Sequence, residues 1–295
     1  MPIATEFEYF APGTVRETVG LLSKYKDKAR LLAGGTDLVV QLKEDVSKPQ
    51  ALLDIKRISP LGGIKAQGKF LRLGALVTFT ELIESSVVKS KYPVLWEAAR
   101  TVASPGVRNR ATVAGNICSA VPSLDSGPAL LVYEAVIVAE GPKGARQIPF
   151  ASFITGPRRT VLAKDELVTA ILLPQPARHG GAYVKMGRYA GEDLAQAGVA
   201  VLADARGGIR VAFCALAPAP ARSAKIEALL SGKKCDAALM AQAVALLEKE
   251  LAPITDIRSS REYRLHMAGV MLERGLDAAC SRLNGEGPEY GKSLI

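Results

Sequence analysis

Histidine and cysteine are scarce in this chain: two histidines and four cysteines are spread over 295 residues. His179 and His266 lie far apart, without acidic or cysteine companions at ligand spacing. Cys118, Cys214, Cys235 and Cys280 form no Cys-x-x-Cys pair. A disulfide framework and a resident zinc or iron–sulfur site are therefore not expected, and any metal chemistry is assigned to another chain. Long apolar runs are missing too, with no window reaching the roughly 18 uninterrupted apolar residues that a bilayer-spanning helix needs. Residues 1–6 lack the basic start and apolar core of a secretory leader, so a cytoplasmic location is expected. The net charge of +9 would suit phosphates, nucleic acid or acidic protein surfaces. The basic residues, however, fall in short groups such as Lys24, Lys26, Lys28 and Arg30, without interleaved aromatics to stack bases, which speaks against nucleic acid.

What is present, 48% hydrophobic and 23% charged residues, suits a globular protein of one large or two modest domains. Thr14 and Glu17 form a capping-box pattern before a helix whose Val15, Val19 and Leu22 share a face. The run 30–33 reads as a buried strand stopped by Gly34-Gly35, with a helical run, Leu38–Lys43, behind it. Residues 51–55 and 70–75 read as strands, and Thr78 with Glu81 caps a helix that continues toward Val88. A helix over 93–102 ends in the turn Ser104-Pro105-Gly106, and a strand over 167–173 is closed by Pro174 and Pro176. Proline and glycine content rises around 175–181, where a domain boundary is placed. Beyond it, strands are expected at 182–185, Ala197–Asp204 and 210–217, then two amphipathic helices at about 236–251 and 259–283. The second of these starts on the pair Ser259 and Glu262.

A bound phosphate needs converging backbone amides, and glycine permits both the unusual φ angles and the close approach this requires. Two stretches offer such amides. Ala33-Gly34-Gly35-Thr36-Asp37-Leu38 lies between a strand and a helix start, so free N–H groups and a positive helix end face one spot. Thr112-Val113-Ala114-Gly115-Asn116, which also follows a strand-like run, adds a hydroxyl and an amide side chain. Neither is the Gly-x-Gly-x-x-Gly of dinucleotide folds or the Gly-Lys-Ser/Thr of phosphate-binding NTPases. A Gly-Gly pair before a helix is also what an ordinary turn recruits, so spacing alone leaves both readings open.

The full wording of these segments resembles the medium, FAD-binding subunits of the xanthine dehydrogenase and carbon monoxide dehydrogenase family, over nearly the whole chain. Leu31-Leu32-Ala33-Gly34-Gly35-Thr36-Asp37-Leu38 looks like that family's first pyrophosphate loop, and Ala111-Thr112-Val113-Ala114-Gly115-Asn116-Ile117 like its second, with Ser119 close behind. In Ala120-Val121-Pro122-Ser123-Leu124-Asp125-Ser126-Gly127-Pro128, Asp125 takes the place of an Asp that holds the ribose side of FAD. The resemblance also puts Val168 against the isoalloxazine and Lys185 near its pyrimidine side, where a cation raises the flavin potential; otherwise Lys185 reads as a solvated strand lysine. Residues 188–196 resemble the loop that controls acceptor access, with Gln196 where NAD-reducing relatives carry a second lysine. Arg108 and Arg110, beside the second loop, read as surface charge. Ala114 stands where relatives most often have glycine: a positive φ there would strain it by about 1 kcal/mol or more, and a negative φ would make the change harmless.

The resemblance implies an α+β fold: a two-lobed FAD-binding domain of the p-cresol methylhydroxylase-like type over 1–176 (lobes at about 1–57 and 58–176), then a smaller C-terminal domain over 177–295 in which a sheet packs with helices. It implies an oxidoreductase component with FAD on this chain, and molybdopterin and [2Fe-2S] clusters on partners. A large molybdopterin subunit would oxidise the substrate, and a small [2Fe-2S] subunit would pass electrons to the flavin for a terminal acceptor: NAD, a quinone, ferredoxin or oxygen. The assembly would be a dimer of heterotrimers. No side chain here is expected to act as general acid, base or nucleophile. Two other readings stand beside this one: a stand-alone FAD oxidoreductase of the p-cresol methylhydroxylase type, and a non-enzymatic basic scaffold whose glycine turns are purely structural.

Overall fold

A computed structural model describes residues 3–189, 191–233 and 236–295; Cys235 lies outside the described residues. The first lobe is a three-stranded parallel sheet of order β1-β3-β2, made of β1 (Glu8–Phe10), β2 (Ala29–Leu32) and β3 (Ala51–Asp54). The central strand, Ala51-Leu52-Leu53-Asp54, is buried throughout, as befits a parallel strand flanked on both sides. Helix α1 (Val15–Tyr25) turns Thr18, Val19 and Leu22 inward. Thr14 accepts from the Glu17 N–H, as expected, whereas the Glu17 carboxylate reaches back to Gly13 and not to Thr14, so the capping pattern closes one residue earlier than predicted. Helix α2 (Leu38–Lys43) follows β2 across the loop 33–37.

The second lobe is an antiparallel sheet of order β4-β5-β10-β6-β7. Its strands are β4 (Ile64–Gln67), β5 (Phe70–Gly74), β6 (Val136–Gly141), β7 (Gly144–Pro149) and, at its centre, the almost wholly buried β10 (Leu167–Pro174). A small hairpin of β8 (Ile154–Gly156) and β9 (Arg159–Thr160) precedes β10. The register of β10 on β6 slips between Val168 and Ala170, a bulge that re-aims side chains at this point of the strand. The helices are α3 (Phe79–Glu84), α4 (Ser86–Lys91), α5 (Pro93–Arg100), α6 (Pro105–Arg108), α7 (Val113–Ser119) and α8 (Ser126–Val132). The Thr78–Glu81 capping box is present, but the single helix expected toward Val88 is two: Ser85 ends α3 and caps α4 by accepting from Val88. A serine hydroxyl that can cap competes with helix continuation.

Strands β11 (His179–Met186), β12 (Ala197–Asp204), β13 (Ile209–Cys214) and β14 (Ala221–Arg222) form the third sheet, with helices α9 (Ala224–Leu230), α10 (Ala237–Glu250) and α11 (Arg261–Asn284). Strict alternation sends Tyr183, Ala200, Leu202 and Ala212 into the core of the second lobe, and Val184, Val199, Val201 and Phe213 into a separate core under α10 and α11. The sheet is thus buried on both faces. A buried ion pair between Glu97 of α5 and Arg282 of α11, 3.0 Å long, joins the halves, and Glu97 also accepts from the Tyr183 and Gly291 N–H groups. Two expectations shift here. Strand β13 stops at Cys214 because Ala215 turns left-handed (φ 60°) to donate to the Pro122 carbonyl. Helix α11 is capped by Ser260, not Ser259, which instead pairs with Asp256 in an isolated bridge.

Candidate functional site

Loop 33–37 is pressed between β2 and the main chain that leads into α7. A Cβ on Gly34 would run into the Arg110 carbonyl, and Gly35 has φ +78°. Among the described residues, the backbone N–H groups of residues 34–38 donate to no acceptor. Asp37, at the start of α2, makes no side-chain cap and is free to accept from Ser119 Oγ at 2.6 Å, which ties the loop to the end of α7. The second loop is built differently. It does not follow a strand; it follows the single turn α6 and is held by the isolated bridge between Thr112 and Thr78. Thr112 caps α7 by accepting from Gly115 at 2.9 Å, so Ala114 and Asn116 are helical residues. Ala114 does not have a positive φ, and its methyl is buried without strain. Asn116 Oδ1 accepts from Ser126, leaving its amide N–H groups for another partner.

Both loops open on one cavity of about 830 Å³ between the three lobes. Of the predicted site residues, Leu31, Ala33, Gly34, Gly35, Thr36, Asp37, Leu38, Ala111, Thr112, Ala114, Gly115, Asn116, Ser119, Asp125 and Val168 line it; Leu32 and Lys185 do not. Lys185 stands behind the wall, half-buried and paired rather than solvated. Its ammonium donates to Asp125 Oδ2 at 3.0 Å and to the Thr101 carbonyl at 2.7 Å. The other Asp125 oxygen accepts from the Tyr183 hydroxyl at 2.8 Å. Residues 183 and 185 are two apart on β11 and so share the face turned toward the cofactor lobe. Gly198 on β12 leaves room for this arrangement, since a Cβ there would come within 2.7 Å of the Tyr183 hydroxyl. Burial pushes the Asp125 carboxyl up, against the pull of the Lys185 charge and the hydrogen bonds of Tyr183 and Lys185. Burial, with the Asp125 carboxylate beside it, keeps the Tyr183 hydroxyl protonated.

The C-terminal domain supplies the outer rim: Arg188, Tyr189, Glu192, Asp193, Leu194 and Arg258. Asp193 accepts from the Arg188 backbone at 2.6 Å and pairs with its guanidinium. Burial opposes ionisation there, and these hydrogen bonds prevail to hold the Asp193 carboxyl below its usual range. Gln196 is buried beside the rim, its carbonyl accepting from Arg264 at 2.7 Å. Arg108 is not plain surface charge: it donates to the carbonyls of Val102 and Ala103, fixing a turn in the cavity wall, and burial followed by repulsion from Arg100 lowers its pKa. Residues that sequence reasoning passed over include Ile55, Phe79, Leu124, Arg158 and Arg258. Phe79 and Leu124 adjoin recognised signals, the Thr78 cap and the Asp125 stretch, whereas only the fold brings Arg158 and Arg258 to the cavity.

Residues 5–176 match the family described as FAD binding domain in molybdopterin dehydrogenase, and residues 181–279 match the CO dehydrogenase flavoprotein C-terminal domain. The carbon monoxide dehydrogenase medium chain of Hydrogenophaga pseudoflava is 37% identical over 95% of this chain and 99% of its own length. The xanthine dehydrogenase FAD-binding subunit of Escherichia coli O157:H7 is 32% identical over 94% of this chain and 97% of its own length. Among solved structures, a chain of the Hydrogenophaga pseudoflava carbon monoxide dehydrogenase that lacks the Mo-pyranopterin moiety superimposes with a TM-score of 0.91, at 37% identity over 96% of this chain and 99% of that one.

Proposed function

Because the chain belongs to the family of FAD-binding medium subunits of molybdenum hydroxylases, we propose that it holds one FAD across the cavity and connects a [2Fe-2S] partner subunit to a terminal electron acceptor. The observation that carries this is the convergence of two loops, one with a continuous row of unpartnered N–H groups, on a single cavity. Unpaired main-chain donors beside helix starts suit an anion such as a diphosphate, and the Gly34 contact leaves no room for a side chain that would fill the cradle. When bound, FAD supplies the redox chemistry, taking up single electrons and handing on a pair.

This chain's own residues bind, orient and enclose. The amides of residues 34–38, with the Asn116 side chain, hold the diphosphate. Asp125, its carboxylate oriented by Tyr183 and Lys185, accepts from a ribose hydroxyl. Val168, aimed by the bulge in β10, packs on the flavin, and the Lys185 charge reaches the site through Asp125. Residues 188–194 form the rim through which the acceptor gains access. The working division is a cofactor domain over 1–176 and a closing domain over 177–295. Several relatives are named as medium chains, and solved relatives are described as a Cu,Mo-CO dehydrogenase and as a carbon monoxide dehydrogenase lacking the Mo-pyranopterin moiety of its molybdenum cofactor. By that analogy the partners are a large molybdopterin subunit and a small [2Fe-2S] subunit, in a dimer of heterotrimers.

The test is an absorbance spectrum of the chain after incubation with FAD and desalting, alone and co-expressed with the two proposed partner subunits. Flavin bands that dithionite bleaches support the reading. Colourless protein in both preparations overturns it.

A further inference from the structure

Four arginines line the cavity, and three have their charge occupied. Arg30 donates to the carbonyls of Asp27 and Ala29 at 2.8 Å, Arg188 pairs with Asp193, and Arg258 pairs with Asp256. Arg158 is the exception: among the described residues its guanidinium meets no hydrogen-bond or ion-pair partner. Its side chain is exposed at the cavity edge, and its backbone is left-handed. Arg158 is the third residue of the turn Gly156-Pro157-Arg158-Arg159 that joins β8 to β9, and its φ is 57°. A left-handed residue after proline in a tight turn is ordinarily glycine or asparagine, because a Cβ is penalised there. Arg158 is held in place by its N–H, which donates to the Ala120 carbonyl at 2.8 Å. Ala120 is itself left-handed (φ 46°) and ends α7, the helix that Thr112 caps and that carries Asn116 and Ser119. The hairpin tip is thus pinned to the element that presents the second loop.

A strained non-glycine residue beside a cavity is a pointer to function, and a guanidinium fork matches phosphate oxygens two at a time. We propose that Arg158 is the anion-binding side chain of this cavity and that its ligand is a phosphate group, either in the diphosphate of FAD or on a nucleotide that enters as electron acceptor. This rests on the reading that the cavity takes FAD. It adds a positive charge that the two loops do not supply, in a position that glycine would fill at lower backbone strain.

The full chain, freed of flavin, is titrated with FAD, riboflavin and ADP as wild type, Arg158→Gly and Arg158→Lys. Glycine suits the left-handed turn, so the Arg158→Gly variant folds, and its melting temperature checks this. A loss in FAD affinity of about 10- to 100-fold for Arg158→Gly, a smaller loss for Arg158→Lys and unchanged riboflavin binding assign the phosphate to the cofactor. Unchanged FAD affinity with loss of ADP binding to the FAD-loaded chain assigns it to the acceptor. FAD and ADP affinities of Arg158→Gly both within twofold of wild type overturn the proposal. Wild-type chain that takes up no flavin overturns the parent reading and this one with it, a failure visible before any variant is made.

Discussion

The two loops that meet at the cavity reach the same end by opposite means. The first, 33–37, is made of main chain alone: no side chain caps α2, Gly35 is left-handed, and Gly34 is flattened against the Arg110 carbonyl. The second is organised by a side chain, the Thr112 hydroxyl on the Gly115 N–H, and its residues follow ordinary helical geometry. The contrast explains why the methyl of Ala114 is tolerated while Gly34 has no substitute. A glycine is demanded where backbone presses on backbone, whereas position 114, in a capped helical turn, accommodates a methyl.

Four substitutions sharpen this contrast, in falling order of effect. Gly34→Ala drives a Cβ into rigid main chain and should destabilise the chain by about 3 kcal/mol, as overpacking does, and abolish FAD uptake at concentrations that saturate the wild type. Urea unfolding and flavin absorbance read the two effects, and wild-type values for both would show that the first loop is not constrained as described. Gly35→Ala forces alanine to φ +78° and should destabilise by about 1–2 kcal/mol, with weaker but measurable flavin binding. Thr112→Ala removes the α7 cap and should lower stability by about 1 kcal/mol; a loss as large as that of Gly34→Ala would erase the distinction between the loops. Ala114→Gly should have the smallest effect, a destabilisation of up to about 1 kcal/mol from lost helix propensity with FAD affinity unchanged. Tighter binding in that variant would mean that the methyl crowds the diphosphate after all.

Much of the architecture was readable from pattern. Strand β12 fell at the residues predicted, Ala197–Asp204, because a strand buried on both faces is a near-continuous apolar run. Helix α10 lay where Asp236 and the apolar spacing placed it. What pattern misjudged were choices between equal local signals. Ser259 and Ser260 are both competent caps, and only the Asp256 bridge decides between them. Ser85 interrupts a helix whose apolar spacing is compatible with continuing. The site divides in the same way. Gly34, Gly35, Thr112 and Asn116 could be singled out because turn and cap chemistry is local, whereas nothing near Arg158 or Arg258 in sequence marks them as cavity residues.

The sequence by itself determined most of the elements and the glycine positions, since these depend on propensities and on contacts between residues a few places apart, and the wording of its loops carried the resemblance to the family. Only the tertiary structure decided that Asp125 receives both donors from a strand some 60 residues away, that Lys185 stands behind the wall rather than in it, and that the guanidinium of one cavity arginine meets no partner among the described residues. Which charges meet depends on how three lobes close on one another, and that packing is a property of the whole chain that no local window contains.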